Sequence, residues 1–86
     1  MTKGEYRVGI DFNPSNDDTV GKIKRAAADL IDLIESVESH RPALDAEGSE
    51  WSRANEIARL KSLAQTHIED AAMWAVKAAT KPAPQN

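Results

Sequence analysis

The stretch from Phe12 to Glu35, FNPSNDDTVGKIKRAAADLIDLIE, decides the fold because it combines a turn, a helix start and an apolar stripe. Ser15 and Asp18 have the spacing of a capping box, which predicts that a helix begins at Asn16 or soon after. The apolar residues that follow recur every three or four positions, as on one face of a helix; they are Val20, Ile23, Ala27, Leu30, Ile34 and Val37. This stripe predicts a helix that ends near Ser39.

A second, longer helix is predicted from Glu50 to about Thr80, with Ser49 as its cap. A mostly apolar seam on this helix follows a strict three-four heptad: Ile57, Leu60, Ala64, His67, Ala71, Trp74 and Ala78. A second row lies beside the first: Ile68, Ala72, Ala75 and Ala79. Together these rows exceed what one partner helix can cover. We therefore expect an all-α, antiparallel two-helix hairpin that forms a homo-oligomer, in which Trp51 and Trp74 are buried anchors.

The N-terminal residues show a different period. Tyr6, Val8, Ile10 and Phe12 alternate with polar residues and glycine, and this period of two predicts a short extended arm. The predicted organisation is thus an extended arm and turn over residues 1–15, a helical hairpin domain over 16–80 and a tail over 81–86. Two prolines keep the tail from continuing the helix, so we expect it to be disordered.

Composition excludes several classes of function. The 86 residues suffice for one small domain, in which about half of the aliphatic residues are alanine. Cysteine is absent, which excludes disulfides and thiolate zinc sites. The net charge of −3 argues against a duplex nucleic acid as partner. No apolar run approaches the ~20 residues of a membrane span, so we expect a soluble intracellular protein that does not bind membranes.

Catalysis has little support in the sequence. Asp29, Asp32 and Glu35 share one helix face, but nothing places them in a cleft. His67 lies within the heptad row and is expected to be an interface residue rather than a metal ligand. No catalytic, metal-binding or cofactor motif is present, so we expect neither an enzyme nor a cofactor.

One cluster does suggest a ligand. Lys22, Lys24 and Arg25 lie in the second and third turns of the first predicted helix, and Phe12 lies just before that helix. The cations of the helix and the Phe12 ring would converge on a small, flat anion if the arm folds back onto its own helix, or if a second subunit supplies the arm. In such a site Lys24 is expected to lie on the polar side of the helix. The alternative is simply a well-capped helix with a solvated basic turn. The residues alone favour the alternative.

Two long stretches carry a resemblance that reverses this preference. They are residues 12–35, quoted above, and residues 58–81, ARLKSLAQTHIEDAAMWAVKAATK. Both resemble the small phage proteins that defeat CBASS immunity by sequestering its cyclic oligonucleotide signals, the anti-CBASS sponges, whose helical hairpin domain is shared with the Thoeris-inhibiting sponges. The resemblance rests on the Asn-Pro-Ser turn, on Ile23 and Lys24, and on the Ala-Met-Trp-Ala-Val-Lys run that ends at Lys77.

The resemblance implies a homohexamer built of interlocked dimers, in the cytoplasm of an infected bacterium. It further implies that cyclic dinucleotides such as cyclic GMP-AMP bind between subunits and are not cleaved. Phe12 matches the aromatic residue that stacks on a base in relatives, and Lys24 matches the lysine that contacts the phosphates. Asn13, Pro14 and Arg25 complete the implied cyclic-dinucleotide site.

Some relatives also hold cyclic trinucleotides at a separate site on the second helix. The matching position here is Gln65, which is neutral, so Arg59 or Lys61 would have to supply the cation. Two other functions stay open. One is a helical assembly or adaptor protein without a nucleotide ligand, and the other is a sponge for the cyclic ADP-ribose isomers of Thoeris.

Overall fold

Three helices make up the fold in the computed structural model, which describes residues 1–85. They are α1 (Lys3–Val8), α2 (Asp18–Glu35) and α3 (Gly48–Ala79), and no strand occurs within those residues. The predicted all-α class is confirmed. Along the α2–α3 contact, Lys61 reaches the end of α2 at Glu35 whereas Gln65 reaches Ile31 one turn earlier, so the two helices run antiparallel.

The N-terminal segment is helical, and the prediction of an extended arm is wrong. Thr2 and Glu5 form a capping box, in which the Thr2 hydroxyl accepts from the Glu5 N–H and the Glu5 carboxylate accepts from the Thr2 N–H. Gly9 then ends α1 in the left-handed conformation, with φ of 64°. These local caps, together with packing on α2, outweigh the alternating pattern. Two of its apolar residues, Tyr6 and Phe12, are in fact exposed.

The predicted helix ends also need correction. The cap of α2 is Asp17, whose Oδ1 accepts from the Thr19 N–H at 2.7 Å. Ser15 shapes the preceding turn instead, since its hydroxyl accepts from the Asp17 N–H. At its other end α2 stops at Glu35, before the predicted Ser39. The long helix begins two residues before the predicted Glu50, at Gly48, and no side chain caps it.

The core between the helices is small and alanine-rich. The buried apolar residues are Val20, Ala27, Ala28 and Ile31 of α2 and Ala54 and Ala72 of α3. The face of α3 that packs on α2 therefore includes Ala72 from the second predicted row, while Leu60 and Trp74 of the predicted heptad are 51% and 62% exposed in the protomer. Trp51 is half-buried. That other copies of the chain cover Leu60 and Trp74 stays a prediction.

Helix length leaves part of α3 without a partner in the protomer. At 1.5 Å per residue the 32 residues of α3 span about 48 Å, whereas the 18 residues of α2 span about 27 Å. Short α1 packs beside α2 on the same stretch of α3, where Lys3 bonds Gln65 and Arg7 bonds Glu69. Residues 81–85 form no helix, and Asn86, the last residue of the predicted tail, lies outside the described residues. No helix within 1–85 is both long and apolar enough to cross a bilayer.

Candidate functional site

Lys24 is the centre of the candidate site, and it lies on the buried face of α2. Its residue is only 8% exposed, so the expectation that it lies on the polar side is wrong. Its Nζ donates to the carbonyl oxygen of Gly9 at 3.0 Å and also to that of Phe12. Because α1 ends at Gly9, a single ammonium ties the chain after α1 to the middle of α2.

Phe12 places its ring next to this ammonium. The Lys24 Nζ lies 5.4 Å from the centre of the ring, within cation–π range. The ring itself is 71% exposed, so its face is available for stacking. An ammonium has three N–H groups and two are used for the carbonyls of Gly9 and Phe12, which leaves one for an anionic acceptor.

A groove of about 490 Å³ opens beside Phe12 and Lys24. One wall comes from α1 and its end, the other from α3; the lining residues are Tyr6, Arg7, Val8, Gly9, Phe12, Lys24, Glu69, Ala72, Met73 and Val76. This volume falls within the usual range for small-molecule sites, and most of the lining is apolar. The groove therefore suits a small ligand with apolar surfaces and a few charged groups.

The charged side chains of the groove differ in whether they are already paired with an opposite charge. The Arg7 Nε donates to the Glu69 Oε1 at 2.8 Å, and this pair is partly buried, so its two charges largely cancel. Among residues 1–85, no carboxylate lies within ion-pair distance of Lys24. Lys24 is thus the groove cation whose charge a ligand would meet.

Arg25, the next predicted cation, points elsewhere. Its guanidinium donates to Glu5 at 2.8 Å and to Asp29 at 2.8 and 3.0 Å, and it does not line the groove. The hydrogen bond to Arg25 is the main reason that the pKa of Glu5 falls to about 2, aided by the Thr2 backbone. In return, Glu5 and then Asp29 raise the pKa of Arg25. Arg25 therefore joins α1 to α2.

Asn13 and Pro14 build the turn between Phe12 and α2. The Asn13 amide donates to the Asp17 carbonyl oxygen at 3.0 Å, and its Oδ1 accepts from the Ser15 hydroxyl at 2.7 Å. Pro14 is exposed. Neither residue lines the groove, and within the protomer they are connected to the candidate site only through the backbone of Phe12.

Sequence reasoning missed the groove residues Tyr6, Arg7, Met73 and Val76. The first two were assigned to an extended arm, although the Thr-x-x-Glu spacing of Thr2 and Glu5 is itself a helix-start signal. No such signal exists for the residues of α3. They reach the groove only because α1 folds across that helix.

The residues predicted for a second site do not line the groove, and each has its own partners in the protomer. Gln65 is 1% exposed; its amide donates to the Ile31 carbonyl oxygen at 3.2 Å and to Glu35 at 3.0 Å, and its Oε1 accepts from Lys3 at 3.0 Å. The bond from Gln65 is the main reason that the pKa of Glu35 is lowered, followed by the one from Lys3. Gln65 thus joins all three helices.

The two cations near Gln65 have separate partners. Lys61 donates to the carbonyl oxygens of Glu35 and Val37, where it closes the end of α2. Arg59 pairs with Glu56 one turn away on the surface of α3. No group of three metal-ligating side chains occurs in the part of the chain that the structure describes.

In a comparison with known proteins, a family model described as "Acb2/Tad1, hairpin domain" matches the chain. It covers residues 4–80, which include all three helices except the first residue of α1. No curated protein and no solved structure matches the chain.

Proposed function

The chain belongs to the Acb2/Tad1 hairpin-domain family, and on this premise we propose that it binds cyclic oligonucleotide second messengers and sequesters them without cleavage. The proposed ligands are cyclic dinucleotides such as cyclic GMP-AMP. Their removal would block CBASS immunity in the cytoplasm of an infected bacterium. The mechanism is mass action: an abundant protein that binds more tightly than the immune effector starves that effector of its signal.

The observation that carries the proposal is the exposed Phe12 ring held next to the Lys24 ammonium at the edge of an apolar groove. A nucleotide offers the complementary pair of groups, a purine face and a phosphate. Stacking of a base on an aromatic side chain contributes about 1–3 kcal/mol. A charge-assisted hydrogen bond from lysine to phosphate contributes about 1.5–3 kcal/mol.

Symmetry makes a cyclic dinucleotide a better fit than a mononucleotide. Its two bases and two phosphates are related by an approximate two-fold axis, and a symmetric dimer presents two copies each of Phe12 and Lys24. Doubling both contacts gives roughly 5–12 kcal/mol before ordering costs, and nanomolar binding requires ~12 kcal/mol. High affinity therefore depends on both copies, and we propose that the site forms between subunits.

The surface of the protomer supports self-association. Large apolar side chains remain exposed on both long helices, with Leu33 65%, Leu60 51% and Trp74 62% exposed. Leu60 and Trp74 belong to the same heptad row, so these apolar side chains lie on one side of α3, as expected for an interface. We propose a homohexamer, as the family resemblance implies, with these side chains in its subunit contacts.

The groove favours binding over turnover. Its carboxylate, Glu69, is held by Arg7 and is therefore poorly placed to act as a general base. The lysine ammonium is likewise held by two carbonyl oxygens. A bound nucleotide should therefore be released from the groove without having been cleaved.

The test is calorimetric titration of the parent protein with cyclic GMP-AMP, cyclic di-AMP, cyclic di-GMP, a cyclic trinucleotide and cyclic ADP-ribose isomers. We expect nanomolar binding of at least one cyclic dinucleotide and recovery of intact nucleotide after the protein is denatured. A linearised product would overturn sequestration. A response to cyclic ADP-ribose isomers alone would identify a Thoeris sponge.

The second candidate function is a helical adaptor, which the exposed apolar row of α3 favours. It predicts an oligomer or a protein complex and no response to any nucleotide in the panel. A cyclic trinucleotide response independent of Phe12 would point to a second site, for which Arg59 is the most exposed of the predicted cations.

A further inference from the structure

Backbone contact between α1 and α2 is unusually close at Gly4. A Cβ built on Gly4 would lie 2.8 and 2.9 Å from the carbonyl carbon and Cα of Ala28, and closer still to its carbonyl oxygen. All three atoms belong to the backbone of a fully buried residue in the middle of α2, so they cannot move aside as a side-chain tip could. Only glycine lets α1 lie this close to α2.

A hydrogen bond fixes the same contact. The Gly4 N–H donates to the Oδ1 of Asp32 at 2.7 Å. This N–H lies in the first turn of α1 and has no acceptor within that helix. Asp32 therefore caps α1 from the neighbouring helix, one turn of α2 beyond Ala28.

The position of α1 in turn determines the position of Phe12. The Ile10 N–H donates to the Glu5 carbonyl oxygen at 3.0 Å, and the Phe12 N–H donates to that of Gly9 at 2.9 Å. Lys24 binds the carbonyl oxygens of Gly9 and Phe12. Phe12 is thus connected to the end of α1 by a short series of hydrogen bonds, without a helix of its own.

We infer that Gly4 and Asp32 are positioning residues for the Phe12–Lys24 site, although neither lines the groove. Carbon atoms in contact prefer about 3.5–4.0 Å, so a methyl group at Gly4 requires α1 to retreat by roughly 1 Å. That shift is enough to lengthen the 3.0 Å bond between Lys24 and Gly9 beyond hydrogen-bonding range. This inference rests on the proposed function for its ligand.

The test compares Gly4→Ala with Gly21→Ala. Gly21 lies within α2, and a Cβ built there meets nothing within 4 Å, so this control adds the same methyl group without a clash. With the cyclic dinucleotide that the parent binds most tightly, we expect Gly4→Ala to lower affinity at least tenfold and Gly21→Ala to leave it within twofold. Similar affinities of the two variants would overturn the inference.

Asp32 supplies an independent pair of variants in case Gly4→Ala does not fold. Asp32→Asn keeps an Oδ1 acceptor for the Gly4 N–H, whereas Asp32→Ala removes it. We expect Asp32→Ala to weaken nucleotide binding and Asp32→Asn to restore most of it. A pure stability effect would instead lower the melting temperature without changing affinity, and equal affinities of the alanine and asparagine variants would overturn the role of Asp32.

A ligand-free measurement separates this inference from the proposed function. Amide hydrogen exchange of Ile10 and Phe12 reports whether the end of α1 keeps its place, and it needs no nucleotide. We expect faster exchange at both amides in Gly4→Ala than in Gly21→Ala, with exchange in the middle of α3 unchanged. If the parent binds no nucleotide, the proposed function fails, and unchanged exchange at Ile10 and Phe12 would then reject the positioning role as well.

Discussion

The Lys24 ammonium donates to the carbonyl oxygen of Gly9 at 3.0 Å, at the residue where the left-handed backbone ends α1. The same ammonium lies 5.4 Å from the Phe12 ring centre. One buried cation therefore holds the N-terminal segment in place and supplies the charge of the candidate site. Stability and ligand binding should both depend on it.

Lys24→Ala tests this dual role. The substitution leaves two carbonyl oxygens without their charged donor, so we expect the free energy of unfolding to fall by about 1–3 kcal/mol and cyclic dinucleotide binding to be lost. Urea denaturation and calorimetry measure the two effects. The control is Lys81→Ala, in the tail, which should change neither. An unchanged unfolding free energy would show that the bonds to Gly9 and Phe12 contribute nothing.

Phe12→Ala separates binding from stability. Because the ring is 71% exposed, its removal should leave the melting temperature nearly unchanged. Loss of stacking should weaken cyclic dinucleotide binding by about 1–3 kcal/mol per base, or roughly 5- to 150-fold for each. Phe12→Tyr keeps the ring face and should retain most of the affinity. Leu44→Ala is the matched control, since Leu44 is a 93% exposed apolar side chain in the loop between α2 and α3. Equal affinities of Phe12→Ala and the parent would place the ligand elsewhere.

Periodicity predicted the two long helices because a long helix repeats its apolar face many times. The short α1 offers no such repetition. Over residues 6–12 the apolar residues happen to alternate, so the pattern predicted an extended arm. What decides the structure there is the Thr2–Glu5 capping box and the glycine at the end of the helix, two signals that lie outside the alternating pattern.

The candidate site could be predicted only in part. Phe12 and Lys24 were identified from the sequence, and the structure brings them together. The burial of Lys24 could not be predicted from the stripe, because that required knowing that α1 covers this turn of α2. The opposite wall, with Met73 and Val76, depends on how a long helix passes under a short one, which local sequence does not encode.

Trp74→Ala tests the assembly. Trp74 is 62% exposed in the protomer, so the substitution should leave helicity intact. If other copies bury the indole, its removal typically costs about 3–5 kcal/mol of the free energy of assembly. Such a loss is enough to shift an oligomer at micromolar concentration toward smaller species. Light scattering measures the mass. Leu44→Ala again serves as the exposed control, and an unchanged mass for Trp74→Ala would remove Trp74 from the interface.

Acid should weaken the contact between α1 and α2 through Glu5. Its pKa is about 2 in the folded protein, against 4.5 for a free glutamate, mainly because Arg25 binds it. Because the folded protein favours the ionised carboxylate, Glu5 makes its full contribution to the free energy of unfolding above pH 4.5. This contribution is lost as the pH falls from 4.5 towards 2. The melting temperature of the parent should therefore exceed that of Glu5→Gln at pH 6, and the two should converge near pH 2. A constant difference between pH 6 and pH 2 would contradict this pKa.

Gln65→Leu tests whether the predicted second site is instead part of the core. Leucine has a similar size but cannot donate to Ile31 and Glu35 or accept from Lys3, so the buried carbonyl oxygen of Ile31 loses its side-chain donor. We expect the free energy of unfolding to fall by about 1–3 kcal/mol. Arg59→Ala is the comparison, because it removes an exposed cation paired only along α3 and should leave stability unchanged.

Titration with a cyclic trinucleotide completes the comparison. Weaker trinucleotide binding in Arg59→Ala would support a second site on the surface of α3. Weaker binding in Gln65→Leu without any loss of stability would show that Gln65 faces a ligand, and the core role would then be wrong.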